Sequence, residues 1–399
     1  MRTFAQKIMH NLRNSTVVAL LLLLFLACTT RQQEPVSPPW GDESDPLLDS
    51  DVFDLEQIEA AGEMIILTLS GPDTYYDYHG RQLGANYILA QQFADSLGVR
   101  LRVDVCRDTV ELLNRFAQGD GDLIAIPMPR HLVDTTVNNP IPVDAANPWL
   151  VSRQKPQLTE VLRSWYRPGR LDDARKQEAL LLSKRSVRRR VFSPMLNRNG
   201  GIISHYDALF VKYSQPLRWD WRLMAAQCYQ ESTFDPKATS WAGARGLMQI
   251  MPSTADHLGL PRDKMYDAES SIAAASKYIG ELEGKFTDIA DRGERTKFVL
   301  ASYNDGYHHI RDAMALAQRD GRQHHHWDDV AVYVLRLSQP QYYQDPIVKH
   351  GYMRGAETVD YVQKIHERWR SYRGVPTRPQ GFHNIPQKST KGGGNKYQL

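Results

Sequence analysis

The chain has 399 residues, 42% of them hydrophobic, with 49 basic and 46 acidic side chains and only three cysteines; this length accommodates about two to three domains with ordinary cores. The formal charge of +3 comes from the first 27 residues, where Arg2, Lys7 and Arg13 face no acid; subtracting those three from 49 leaves 46 bases against 46 acids. A formally neutral body excludes any requirement for a polyanionic partner, and no nucleic-acid binding is expected.

The first element is a basic start followed by the apolar run from Val17 to Ala27, eleven residues long, and then Cys28. So short a run cannot cross a hydrocarbon core as an ordinary helix, so residues 1–27 read as a secretory signal. Phe25-Leu-Ala-Cys28 resembles a bacterial lipobox, with Phe25 where Leu is usual. That resemblance implies lipidation at Cys28 and a stable anchor of several acyl chains; a plain signal with a chance Cys is the alternative. The expected location is the cell envelope, at the periplasmic face of the outer membrane, although inner versus outer sorting is not legible. Residues 28–55, with Pro35, Pro38, Pro39 and Pro46, have little to pack and predict a flexible tether.

Residues 56–170 carry an α/β pattern. Met64-Ile-Ile-Leu-Thr-Leu predicts a strand, Asn86 to Leu97 a helix stopped by Gly98, and alternating Leu101, Val103 and Val105 a second strand. A helix from Val110 to Ala117 then leads to a third strand at Asp122-Leu-Ile-Ala-Ile. Through Tyr75-Tyr-Asp77, Gly84-Ala-Asn-Tyr87, Phe93 to Gly98 and Gly119-Asp-Gly-Asp-Leu, this segment is similar to the first lobe of the amino-acid-type periplasmic solute-binding proteins. Such proteins close two lobes on a ligand, and a second lobe needs about 90 residues. Only about twenty separate Met128 from Trp149 before Asn147-Pro-Trp-Leu-Val and a helix from Gln157 to Tyr166 return to the first lobe. The second lobe therefore reads as shortened to a loop. Pro129-Arg130 also stands where a hydroxyl-bearing residue and an Arg commonly clamp a carboxylate, so a positioning or protein-contact role is expected over small-molecule sensing.

Residues 171–204 read as a basic linker, with five positive charges between Lys184 and Arg190. These predict a solvated helix face or a linker, the sharper alternative being attraction to anionic lipid or wall polymer. Cys106 and Cys228, in separate expected domains, read as small buried hydrophobes.

Within residues 205–373 the informative residue is Glu231. Steps of four and three from Met224 reach Cys228 and then Glu231, while Arg222, Gln227 and Gln230 look elsewhere, so a carboxyl ends an apolar helical stripe. Desolvation favours its neutral form, which suits a general acid near neutral pH; on position alone, a Glu at an exposed helix end is the alternative. Two glycines in Gly243-Ala-Arg-Gly246-Leu-Met248-Gln249 give a tight course before a helix starting near Pro252. Ala301-Ser-Tyr303-Asn304-Asp-Gly306 closes another helix, and Glu357-Thr-Val-Asp-Tyr361 belongs to a late one.

In this order and spacing the four motifs resemble the soluble-type lytic transglycosylase family over roughly residues 205–370. Asp220-Trp-Arg-Leu, Gln230-Glu-Ser and the stretch from Leu337 to Gly355 resemble a membrane-bound branch that also carries a solute-binding-like domain. The resemblance implies a multidomain fold, a reduced α/β lobe followed by a mostly α lysozyme-like domain. It implies non-hydrolytic cleavage of peptidoglycan at the N-acetylmuramic acid–N-acetylglucosamine bond, giving 1,6-anhydro ends. It implies that Glu231 is the catalytic acid, and that Ser232, Gly246 and Gln249 bind substrate while Met248 walls the cleft. Tyr303 and Asn304 would hold the N-acetyl region and Tyr361 would orient Glu231. Asp235, Asp256, Asp267 and Glu269 read as helix-stop, helix-start and surface acids, so no second essential carboxylate is expected. Glycan strands, the membrane and a protein at the N-terminal lobe are the expected partners.

No cofactor is expected, and no metal: His324-His-His326 cannot all face one ion from regular structure. The alternatives are a hydrolytic goose-type lysozyme and a non-catalytic wall-binding lipoprotein. Residues 374–399 read as a disordered tail.

Overall fold

A computed structural model describes residues 53–143, 147–183 and 187–374. The expected signal, Cys28, nearly all of the tether and the tail lie outside them.

The N-terminal lobe is built on a five-stranded sheet in the order β4 (Arg100–Cys106), β1 (Glu63–Leu69), β5 (Leu123–Ile124), β7 (Trp149–Ser152), β6 (Asn138–Ile141). The apolar strand β1 (Glu63–Leu69) runs parallel to β4 (Arg100–Cys106) and to the short β5 (Leu123–Ile124), with helices Ala85–Leu97 and Thr109–Gln118 as crossovers. Parallel neighbours require such crossovers, which bury both sheet faces. The β-α-β-α-β reading is therefore what the chain folds into, with β5 shorter than expected. β7 (Trp149–Ser152) returns antiparallel beside β5, pairing Leu123 with Val151. The connection between β5 and β7 holds, among its described residues, a 3-10 turn at Arg130–Leu132 and an unanticipated strand β6 (Asn138–Ile141). Among its described residues there is no second α/β lobe.

Two further elements of the lobe escaped the sequence reading. Tyr76–Tyr78 (β2) and Arg81–Leu83 (β3) form a hairpin joined by His79 and Gly80, whose φ values of 49° and 69° give the left-handed pair that a tight two-residue turn needs. Residues 170–181, in the range assigned to a linker, form a helix that buries Leu171 and Ala174 in the lobe's core. Its Glu178 accepts from the Tyr76 hydroxyl (2.8 Å) and the Gly84 amide (3.0 Å). The lobe thus extends to Leu181.

The C-terminal half is helical. Helix Trp221–Ser232 starts at Asp220, whose side chain accepts from the Arg222 amide and from Trp369 Nε1. It packs along the C-terminal helix Gly355–Arg373, with Met224, Cys228, Phe298 and Ile365 buried in one core. Both described cysteines are free and buried. His324–His326 lie in the turn before helix Trp327–Arg336.

The two halves share a packed seam. Tyr343 and Tyr352, from the C-terminal half, are buried in the lobe's core, where Tyr352 meets Tyr76 and Tyr343 edge-on at 5.0 and 5.6 Å. The Tyr352 amide donates to Ser70 Oγ at 2.8 Å. Gly351 makes this approach possible: its φ is +73°, and a Cβ there would lie 2.2 Å from the Ser70 hydroxyl.

Candidate active site

The cleft of about 560 Å³ has Glu231 in its lining. One wall is the loop from Ser240 to Thr254, and the other is formed by Ser302–Gly306 with Glu357 and Tyr361 of the C-terminal helix. Glu231 stands in the last turn of its helix, half-buried, one residue before a fully buried Ser232.

Burial pushes the Glu231 carboxyl up to about 7, against the opposing pull of a Tyr361 hydrogen bond and the Arg189 charge. The Tyr361 hydroxyl donates to Glu231 Oε1 at 2.5 Å and accepts from Gln227 Nε2 at 3.3 Å. Gln227 is fully buried, four residues before Glu231. This is the i,i+4 spacing of one helix face, the signal that could have found it; the reading that turned Gln227 elsewhere is corrected.

The chain leaves this helix through two non-glycine residues in the left-handed region, Thr233 at φ 54° and Phe234 at φ 63°. That backbone costs on the order of 1 kcal/mol per residue and persists where surroundings over-determine it. Thr233 Oγ1 donates to the Arg190 carbonyl at 2.9 Å, the Arg190 amide donates to Asp235 Oδ2 at 2.6 Å, and Phe234 is buried against Tyr229 and Phe210. Arg188 exchanges both backbone hydrogen bonds with Thr239, and Arg189 Nη1 donates to the Glu231 carbonyl at 3.1 Å. The described end of the basic run is thus an exposed, extended segment laid along the exit from the Glu231 helix, a solvated linker and not a helix face. Lys184–Ser186 lie outside the described residues.

The remaining expected site residues divide. Tyr303, Asn304, Gln249 and Tyr361 line the cleft. The Tyr303 hydroxyl donates to the Met248 carbonyl at 2.8 Å, and Asn304 Oδ1 accepts from Thr358. Gln249, at φ 47°, directs its amide nitrogen to the carbonyls of Gly246 and Ala238, bracing its own loop. Ser232, Met248 and Gly246 stand behind the cleft. Ser232 is fully buried and donates back to the Cys228 carbonyl, because its position on the helix faces the core. Met248 is likewise fully buried. A Cβ on Gly246 (φ +77°) would sit 2.1 Å from the Met265 carbonyl oxygen, so this glycine serves a close backbone crossing.

Sequence reasoning also missed acids in the cleft. Asp305 and Glu357 line it beside Asn304, and Asp77 enters from the hairpin. Burial, then the charges of Glu357 and Asp77, push Asp305 up to about 8, leaving it mostly neutral at pH 7. Glu357 is engaged by Arg354 and by the Tyr78 hydroxyl at 2.6 Å. Neither arrangement presents a free carboxylate to a sugar. Asp235 accepts from backbone amides, Asp267 caps helix Ala268–Lys285, and Asp256 and Glu269 form exposed ion pairs. Among the described residues, no group of three or more His, Cys, Asp or Glu side chains could hold a metal ion.

Residues 208–326 match the profile of the Transglycosylase SLT domain. This stretch is an SLT domain. The SLT-bearing chain is similar to membrane-bound lytic murein transglycosylase F of Citrobacter koseri, at 28% identity over 77% of this chain and 79% of that one. The enzyme of the same name from Maricaulis maris is 41% identical over 165 residues, 41% of this chain and 35% of that one. Among solved structures, the soluble lytic transglycosylase SLT70 of Escherichia coli aligns with 42% of this chain and 24% of its own, at 24% identity and a TM-score of 0.30. The arginine-bound domain 1 of TmArgBP aligns with 29% of this chain and 97% of its own, at 20% identity and a TM-score of 0.24. The SLT domain contains Glu231, Gln249, Tyr303 and Asn304, while Tyr361 reaches the site from beyond it.

Proposed function

We propose that this chain is a peptidoglycan lytic transglycosylase that cleaves the β-1,4 bond between N-acetylmuramic acid and N-acetylglucosamine without water. The observation that carries this reading is the Glu231 carboxyl, pushed up to about 7 by burial and held by Tyr361, in the cleft of an SLT domain.

Glu231, protonated, donates to the bridging oxygen; the muramic C1–O bond breaks and N-acetylglucosamine leaves with the proton as its hydroxyl. Positive charge at C1 is stabilised by the sugar's own N-acetyl carbonyl. The Glu231 carboxylate then takes the proton from the same sugar's C6 hydroxyl as O6 bonds to C1, closing the 1,6-anhydro ring and restoring the acid. Tyr361, oriented by Gln227, fixes the carboxyl rotamer, and its hydrogen bond stabilises the anion between the two steps. Tyr303 and Asn304 hold the N-acetyl region. Ser232, Gly246 and Met248 contribute by shaping the loop behind Glu231, and Gln249 by bracing it.

The chain would act in cell-wall turnover from a lipid anchor at Cys28, with residues 28–55 as reach and the lobe as a brace for the catalytic half. The outer membrane's periplasmic face is the proposed location. Mass spectrometry of fragments released from purified sacculi tests the reaction. The expected muramyl termini lack the mass of one water, whereas reducing termini would mark a hydrolase.

A further inference from the structure

A second cavity, of about 550 Å³, lies between the C-terminal helix and the extended segment that follows Arg190, and it shares no lining residue with the cleft. On helix Gly355–Arg373, Lys364, Arg368 and Tyr372 line it at intervals of four with Glu367 beside them, so one stripe of the helix makes this wall. The facing wall is Pro194, Met195 and Arg198. That wall is held in place. The Tyr372 hydroxyl donates to the Pro194 carbonyl at 2.7 Å, and Arg198 stands in a turn closed by paired backbone hydrogen bonds between Asn197 and Ile202.

Three bases and one acid line this pocket. Lys364 is paired with Asp360 at 2.6 Å, but neither Arg198 nor Arg368 belongs to an ion pair among the described residues. The Arg368 guanidinium lies 4.0 Å from the centre of the Tyr229 ring, and its Nε is buried without a hydrogen-bond partner. A buried donor left over is costly, and two guanidiniums without carboxylates call for an anion that their planar forks can grip. Glu367 narrows the choice. A bare phosphate or an anionic lipid surface would meet it as a like charge, whereas a short peptide bearing carboxylates and a free ammonium satisfies both signs and lays its carbon skeleton on Pro194 and Met195. We propose that this pocket binds an acidic peptide of that kind, the chemistry of the stem peptides that branch from peptidoglycan, and gives the enzyme a hold on the wall separate from Glu231. The identity of the peptide rests on the transglycosylase reading above; the anion site does not.

The test is isothermal titration of the full chain with the free stem tetrapeptide of peptidoglycan, which has no glycosidic bond to cut, beside inorganic phosphate and vesicles of phosphatidylglycerol. The tetrapeptide should bind with a Kd on the order of 1 mM or tighter, more tightly than phosphate, and more weakly as salt rises. Arg198→Ala, on the exposed turn, should weaken it about tenfold, the range of a lost charge-assisted hydrogen bond, and Arg198→Lys should recover part of that loss. Glu367→Gln should weaken the tetrapeptide while strengthening phosphate, a split that a damaged fold would not give. Arg198→Ala should still form anhydro ends from peptide-free glycan at the unaltered rate. Absence of tetrapeptide binding, or binding unchanged in Arg198→Ala, overturns the proposal; so does vesicle binding tighter than the peptide's and lost in that variant. Tetrapeptide binding by a chain that forms no anhydro ends instead overturns the reaction and leaves the anion site standing.

Discussion

The Glu231 helix and the β2–β3 hairpin both face the cleft, but they reach it by different physics. The helix is local: an N-cap at Asp220, an apolar stripe through Met224 and Cys228, and a carboxyl whose burial follows from that stripe. The hairpin is two strands of three residues each that depend on a seam of tyrosines and on contacts 161 and 279 residues away in sequence. The proton donor is encoded in one continuous segment, while the boundary of the site is encoded in distant pairs.

The largest effect should come from the local element. Glu231→Gln removes the proton donor and should lower the rate of anhydro-end formation by about two to four orders of magnitude, with circular dichroism unchanged; activity near the unaltered level would break the assignment. Tyr361→Phe should cost less, about tenfold or somewhat more in kcat with little change in KM, the range of a lost transition-state hydrogen bond. Because that hydrogen bond lowers the Glu231 pKa, its loss raises it, so the alkaline limb of the pH–rate profile should move to higher pH. A limb that stays put or moves down would leave Tyr361 a merely structural role.

The same carboxyl should register in stability. Its folded pKa of about 7 lies above the ordinary 4.5, so the folded state binds the proton more tightly than the unfolded one. This contribution is fully present below pH 4.5 and is lost as pH rises through 7. The Tm of Glu231→Gln relative to the unaltered chain should therefore increase across that window, and a constant difference would argue against the burial described.

The seam is tested by Gly351→Ala, which places a methyl against Ser70 in a left-handed backbone. It should destabilise by about 1–3 kcal/mol, read by denaturant unfolding, while the small-scale chemistry at Glu231 persists. An unchanged midpoint would mean that the lobe docks without this close approach. Asp256→Ala, at an exposed pair with Arg262, should leave both Tm and activity at the unaltered values. A clear loss of either would show that the acids outside the cleft had been undervalued.

The contrast also explains what was legible in sequence. Strand β1, the two crossover helices and the returning β7 follow from apolar runs that bury both sheet faces, and the Glu231 stripe from helical spacing. The hairpin was hidden because Tyr-Asp-Tyr-His-Gly-Arg-Gln-Leu is mostly polar, and His-Gly is a weaker turn signal than Asn-Gly. Helix Arg170–Leu181 was hidden by its charge, since its fully buried apolar residues are only Leu171 and Ala174 and its third buried side chain is the acid Glu178. Ser232, Gly246 and Met248 carried expected roles that say nothing of orientation, and their positions on the helix and on the tight loop turn them to the core. Asp305 and Glu357 were in view as letters, but their place in the cleft depends on the end of helix Arg292–Asp305 meeting the start of helix Gly355–Arg373 across more than fifty residues.

The most direct test is titration of the Glu231 carboxyl by carbon NMR, assigned by difference against Glu231→Gln. A midpoint near 7 is the predicted result, a proton donor kept neutral by its surroundings until the glycan arrives. A midpoint at the ordinary carboxylate value near 4.5 would contradict it, leaving the cleft without its acid.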